Sequence, residues 1–184
     1  DRTVAVLVST NPRAQEVVDE LERRNIEFVD SLLKSTSATR ISAGVLRDIL
    51  DSLADPNSSL KLSAAYRAWR TQTSQDEPDQ EAIHKTAQWL QKVGQVEDFL
   101  YPTAERDWLS QASATLEPQN LENLQEFRQV LQRWQSAALL PIDQLILTLA
   151  QDLFNEPVDL ALSHKLAGML RQSAQAHPSW RMTE

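Results

Sequence analysis

The residues best suited to bind a charged ligand lie together in one segment, Tyr66-Arg67-Ala68-Trp69-Arg70. Arginine side chains neutralise phosphates and aromatic rings stack on bases, so this combination suits contact with a nucleic acid. The same pattern also suits an ordinary amphipathic helix, in which the rings are buried and the arginines lie on the solvated face. The residue types alone leave both interpretations open.

Other candidate sites carry weaker signals. Ser9-Thr10-Asn11 precedes a helical pattern, and a helix N-terminus can bind phosphate. However, the segment has no glycine and forms neither a G-x-G-x-x-G fingerprint nor a Walker lysine loop, so a plain helix cap explains it better. The carboxylate pairs Asp51/Asp55 and Asp76/Glu77 have no evident basic partner or apolar pocket that would make them an acid–base pair. No catalytic residue is therefore predicted.

The sequence also disfavours a metal site. The chain has no cysteine, and its three histidines (His84, His164 and His177) are far apart and make no i, i+4 pair. Zinc sites are usually built from clustered cysteines and histidines. We therefore expect no metal and no cofactor in this chain.

Composition bounds the class of protein. The net charge of −8 over 184 residues excludes a global basic field, so any nucleic-acid contact must come from a local patch. No apolar run approaches the roughly 20 residues of a membrane span, and no signal peptide is evident. We therefore expect a cytoplasmic protein without a membrane partner. Because the chain begins close to the predicted first strand and without a methionine, we expect it to be part of a longer protein.

The N-terminal thirty residues follow a β-α-β pattern. The apolar run Thr3–Val8 predicts a buried strand, a helix is expected from Asn11 to about Arg24, and Ile26–Val29 predicts a second strand. Such a unit requires a parallel sheet partner. Asn25 is expected to stop the helix between the two strands.

The rest of the chain predicts helices. Apolar spacing and turn residues place them at about Thr39–Leu53, Leu60–Thr71, Glu81–Val93, Val96–Leu100, Thr103–Leu109, Asn120–Ser136, from Pro141, and from Pro157 to Pro178. The expected fold class is therefore mostly α, a helical bundle-like subdomain with a short N-terminal β-α-β piece. The expected domains are 1–34 and 35–184.

Three segments resemble a known family. Val4-Ala5-Val6-Leu7-Val8-Ser9-Thr10-Asn11, followed by a helix that ends Leu21-Glu22-Arg23-Arg24-Asn25-Ile26, resembles motif IV of the UvrD/PcrA/Rep-type superfamily 1 DNA helicases. The segment from Thr39 to Pro56 is similar to the helix and Asp-Pro turn that lead into the 2B subdomain of that family. Leu121–Phe154 resembles a pair of helices of the family in helical character.

The resemblance implies a function for the chain. Residues 1–34 would be the β-α-β edge of the second RecA-like domain, and residues 35–184 a divergent, helical 2B-like subdomain. The chain would be a non-catalytic part of an ATP-dependent DNA helicase, engaging DNA and regulating unwinding, as in DNA repair. ATP and Mg²⁺ would bind the parent protein, because Walker A and B motifs are absent from these residues. The implied partners are DNA and the remaining helicase domains, and an exposed strand edge could join two copies in a homodimer.

Carried over residue by residue, motif IV places its nucleotide-proximal positions at Val8, Ser9, Thr10 and Asn11. The tyrosine and the arginine of the family pattern are replaced by Val8 and Ser9, so the fixed charge that assists phosphoryl transfer is missing. Thr10 and Asn11 keep the pattern. The predicted DNA-backbone contacts are five arginines of the helical segments: Arg40, Arg67, Arg70, Arg128 and Arg133.

Two other functions stay open at this point. A helical protein-interaction module with no nucleic-acid binding would suit the acidic composition. A small α/β enzyme built on the β-α-β unit would require more strands than the sequence shows.

Overall fold

The computed structural model describes residue 6 and the ranges 11–28, 37–74 and 79–177. The chain divides into two compact units, Asp1–Ile41 and Ser42–Glu184. The described residues form nine helices: α1 (Asn11–Arg23), α2 (Ser37–Ala54), α3 (Ser59–Thr73), α4 (Gln80–Gln91), α5 (Val96–Leu100), α6 (Trp108–Ala112), α7 (Pro118–Ala137), α8 (Ile142–Leu153) and α9 (Pro157–Ala176). The mostly helical class predicted from the sequence is confirmed.

The predicted β-α-β piece is not seen. Its helix is present as α1, but no described residue is in a strand. Ile26–Phe28, the described part of the predicted second strand, is irregular, because an extended segment gains its hydrogen bonds only from a neighbouring strand. The predicted first strand, Thr3–Val8, lies outside the described residues except for Val6, which is exposed and is not assigned to a strand.

Helix α1 ends as its sequence predicts. Asn25 has a positive φ of 52°, a conformation that asparagine tolerates better than most residues. The Ile26 N–H donates to the Leu21 carbonyl at 3.0 Å, and the Asn25 N–H donates to the Glu22 carbonyl at 3.0 Å. These two bonds are the pair that defines a Schellman motif, so asparagine here terminates the helix.

The core of the unit Ser42–Glu184 is built around a cluster of aromatic rings. The ring of Phe127 on α7 lies 5.3 Å from that of Tyr66 and 5.4 Å from that of Trp69, both on α3. Phe99 on α5 joins the cluster and meets Trp108 edge to face, with 6.0 Å between ring centroids. Such edge and tilted contacts add to the free energy gained from burying the rings.

Helix α8 is the most apolar helix and lies in this core, as its sequence predicts. Leu145, Ile146 and Leu149 are all fully buried. Helix α9 packs along α8, and α3 packs against α4. The hydroxyl of Ser42 on α2 donates to Oδ1 of Asp159 on α9 at 2.5 Å, across a sequence separation of 117 residues.

Two local predictions are wrong. Thr103 does not cap a helix to Leu109: its N–H and carbonyl bond to Arg106 in a tight turn, and α6 begins later, at Trp108. Helix α7 begins at Pro118, before Asn120, because proline is well suited to the first helical position. At Gly44, inside α2, a Cβ would meet nothing within 4 Å, so packing does not require a glycine there. None of the described helices is both long and apolar enough to cross a membrane.

Candidate functional site

Helix α3 carries the most basic surface of the described helices. It contains Lys61, Arg67 and Arg70 but neither aspartate nor glutamate. Its N-terminus is capped by Ser58, whose hydroxyl oxygen accepts from the Lys61 N–H at 3.3 Å. Arg67 is exposed and Arg70 half-buried, and neither is in an ion pair with any residue that the structure describes. Lys61 pairs with Asp55 at 3.1 Å.

The aromatic residues of the same segment face the other way. Tyr66 and Trp69 are 1% and 2% exposed and pack on Phe127, so neither ring is available to stack on a base. Burial raises the pKa of Tyr66 to about 12, although a hydrogen bond with Thr86 and the charge of Arg70 both act to lower it. Helix α3 therefore offers charge to a ligand but no stacking platform.

Arg128 on α7 is held inside the fold. Its NH2 group lies 2.7 Å from Oδ1 of Asp107, and its side chain is only 15% exposed. The guanidinium lies 5.3 Å from the ring centroid of Phe99, a distance typical of a cation–π contact. To contact a phosphate, Arg128 would have to break its ion pair with Asp107 and its cation–π contact with Phe99.

Asp107 accepts hydrogen bonds from other residues besides Arg128. It caps α6 by accepting from the Leu109 N–H at 3.2 Å, and it accepts from the hydroxyl of Ser110. Burial alone would raise the pKa of Asp107, but the hydrogen bonds from Ser110 and Arg128, the Arg128 charge and the bond from Leu109 outweigh it and hold the pKa below its ordinary value. The carboxylate therefore stays charged and fixes Arg128.

Arg133 is also paired, at a more exposed position. Its NH2 group lies 2.8 Å from Oδ2 of Asp152 on α8. The indole N–H of the fully buried Trp134 donates to the same oxygen at 2.7 Å. Asp152 therefore joins α7 and α8 through two donors.

The predicted arginines of the unit Ser42–Glu184 have different surroundings. Arg67 and Arg70 lie one turn apart on α3, whereas Arg128 and Arg133 contact different carboxylates from α7. Arg40 is exposed on α2 and belongs to the other compact unit. Within the unit Ser42–Glu184, the structure thus brings Arg67 and Arg70 together on one helix, and the roles of all five arginines in DNA binding stay predictions.

Of the four motif IV positions, the structure describes only Asn11. Val8, Ser9 and Thr10 lie outside the described residues. Asn11 is the first residue of α1, in agreement with the helix start predicted there.

A surface groove of about 290 Å³, which the sequence analysis did not predict, lies between the end of α2, α5 and the end of α7. It is lined by Leu53, Pro56, Asn57, Val96, Glu97, Leu100, Tyr101, Gln135 and Ala138. Tyr101 is 55% exposed, and its hydroxyl donates to Oε1 of Gln135 at 2.6 Å. The next residues after Ala138 are Leu139 and Leu140, which are 93% and 42% exposed.

The described residues contain no group of three or more histidine, aspartate or glutamate side chains placed to hold a metal ion. Comparison with protein-family models, with curated proteins and with solved structures gave no match for this chain.

Proposed function

We propose that this chain is a non-catalytic part of a UvrD-like ATP-dependent DNA helicase, in which the helical unit is a 2B-like subdomain that engages DNA and regulates unwinding. The order of elements supports it: α1 begins at Asn11 and ends at Arg23, just before Asn25, and α2 ends just before the Asp55-Pro56 turn, as in the segments that resemble the family. In this proposal the remaining helicase domains complete the parallel sheet of the β-α-β piece, bind ATP and Mg²⁺, and work in the cytoplasm.

The positive charge of α3 is the observation that supports the proposed contact with DNA. In a chain of net charge −8, this helix holds three cations and no carboxylate. Two of the cations, Arg67 and Arg70, have no ion-pair partner in the described part of the chain. Phosphate contacts of this kind give affinity without sequence preference.

The test is fluorescence anisotropy of this chain with single-stranded, duplex and forked DNA over a salt series. We expect binding that weakens with salt and is tightest for duplex or forked DNA. The variant R67E/R70E should reduce the slope of log K against log salt by about two units, because each phosphate contact contributes about 0.9. Circular dichroism should show that the helices are retained.

A matched control makes the same change in net charge elsewhere. Arg47 on α2 and Arg171 on α9 are exposed and paired with Asp48 and Asp143. R47E/R171E should leave the salt slope unchanged. Equal losses in the two double variants would show a general charge effect and overturn the assignment to α3.

The groove favours a second candidate function, a helical protein-interaction module without nucleic-acid binding. Exposed apolar side chains next to a concave surface are typical of protein contacts. A complex with a protein partner, together with no DNA binding at low salt, would favour this function over the helicase proposal.

A further inference from the structure

The groove between α2, α5 and α7 has the composition of a docking site for one kind of partner. We propose that it binds an amphipathic segment of another protein, with an apolar anchor side chain and a lysine or arginine beside it. The lining contains none of the basic residues of α3. The inference therefore stands apart from the proposed DNA contact.

The apolar part of the groove explains the anchor. Leu53, Val96 and Leu100 are buried and form its base, while Pro56 and Tyr101 are exposed at its edge. A volume of about 290 Å³ is at the lower limit of small-molecule pockets, which run from about 300 to 1,000 Å³. It therefore suits one or two anchoring side chains of a longer segment.

The shape of the groove is already set in this structure. The hydrogen bond of 2.6 Å from the Tyr101 hydroxyl to Gln135 links the residue that follows α5 with the last turns of α7. Both residues line the groove, so this bond fixes one wall against the other. A preformed wall lowers the ordering cost of binding.

The charge of the groove lining indicates that the partner carries a cation. Glu97 is the one charged residue in the lining, it is exposed, and it is in no ion pair with a described residue. A partner cation near Glu97 would complement it, whereas a phosphate or an acidic segment would meet a like charge. The net charge of −8 favours the same partner at longer range.

Two exposed leucines follow the end of α7 in the chain. Leu139 and Leu140 follow the lining residue Ala138 directly in the chain. Apolar residues that are exposed at adjacent positions mark contact surfaces more often than isolated ones do. A helical segment with apolar residues on one face uses such a surface in helix-in-groove recognition.

The experiment uses two synthetic helical peptides, one of leucine and lysine and one of leucine and glutamate, titrated into the whole chain and followed by NMR amide shifts. The leucine–lysine peptide should bind more tightly and shift residues of the groove. A138W, which fills the groove, should abolish these shifts. E97K should weaken the leucine–lysine peptide roughly fivefold and strengthen the leucine–glutamate peptide.

The control for E97K is E122K, the same charge change at an exposed position of α7 outside the lining. Equal weakening by E97K and E122K, or shifts that persist in A138W, would overturn the proposal. So would sedimentation showing that a second copy of the chain occupies the groove, with A138W restoring the monomer. NMR or circular dichroism evidence of intact helices in A138W completes the test, and E97K decides it if A138W unfolds.

Discussion

The arginines of α3 and α7 were predicted for one role, and the structure gives them different surroundings. On α7, Arg128 and Arg133 each meet a carboxylate from elsewhere in the fold, Asp107 and Asp152. On α3, Arg67 and Arg70 have no such partner among the described residues. The difference shows that the neighbouring segments, more than the helix itself, decide whether an arginine stabilises the fold or remains available to a ligand.

The largest expected effect is at Arg128. R128A should lower the free energy of unfolding by about 3 kcal/mol, because it removes one partner of a largely buried pair and leaves Asp107 with fewer donors. Guanidinium denaturation followed by circular dichroism measures it. A loss near zero would show that Arg128 is not committed to the fold and would restore it to the DNA-binding candidates.

The next effect is at the shared acceptor of α7 and α8. D152A should cost about 2 kcal/mol, because the buried indole N–H of Trp134 loses its hydrogen-bond partner. R133A, which removes only the exposed partner, should cost well under 1 kcal/mol. Urea denaturation measures both free energies of unfolding. Similar losses in D152A and R133A would show that the bond to Trp134 contributes no more than the ion pair with Arg133.

A smaller effect depends on pH. The pKa of Asp107 is lowered in the folded chain, so its contribution to stability is present above the ordinary value of 3.8 and is lost as pH falls below it, through the lower folded value. D107N should cost about 1.5 kcal/mol at neutral pH. The difference in unfolding free energy between the natural chain and D107N should narrow as pH falls below 3.8. If the difference in unfolding free energy stays the same as pH falls well below 3.8, the charge of Asp107 does not stabilise the fold.

The smallest effects are expected on α3. R67A and R70A should each change the free energy of unfolding by less than about 0.5 kcal/mol, because neither side chain makes an ion pair that the fold would lose. Thermal unfolding measures this change. A larger loss would place these arginines with those of α7 as structural residues.

Much of the helical fold could be predicted because its signals are local. Apolar spacing located α8, Asn25 marked the end of α1, and Pro157 marked the start of α9. The start of α6 was predicted wrongly because Thr103 and Asp107 are both residue types that cap helices. The structure has the cap at Asp107, which also pairs with Arg128, a contact between distant segments that no local pattern shows.

The candidate sites were harder to predict because they depend on contacts between distant segments. The spacing of Tyr66 and Arg67 indicated an amphipathic helix, but only the packing on Phe127 shows that the ring faces inward. Likewise, no local pattern pairs Arg133 with Asp152, and the groove joins residues of α2, α5 and α7.

The hydrogen bond between Ser42 and Asp159 joins α2 to α9, so it can form only after α9 has been synthesised. Its two partners are 117 residues apart, so at a typical rate of about 5–20 residues per second the earlier partner waits several seconds for the later one. Until then the buried Ser42 lacks the α9 carboxylate. The closing of this long loop is therefore a late event in the maturation of the newly made chain.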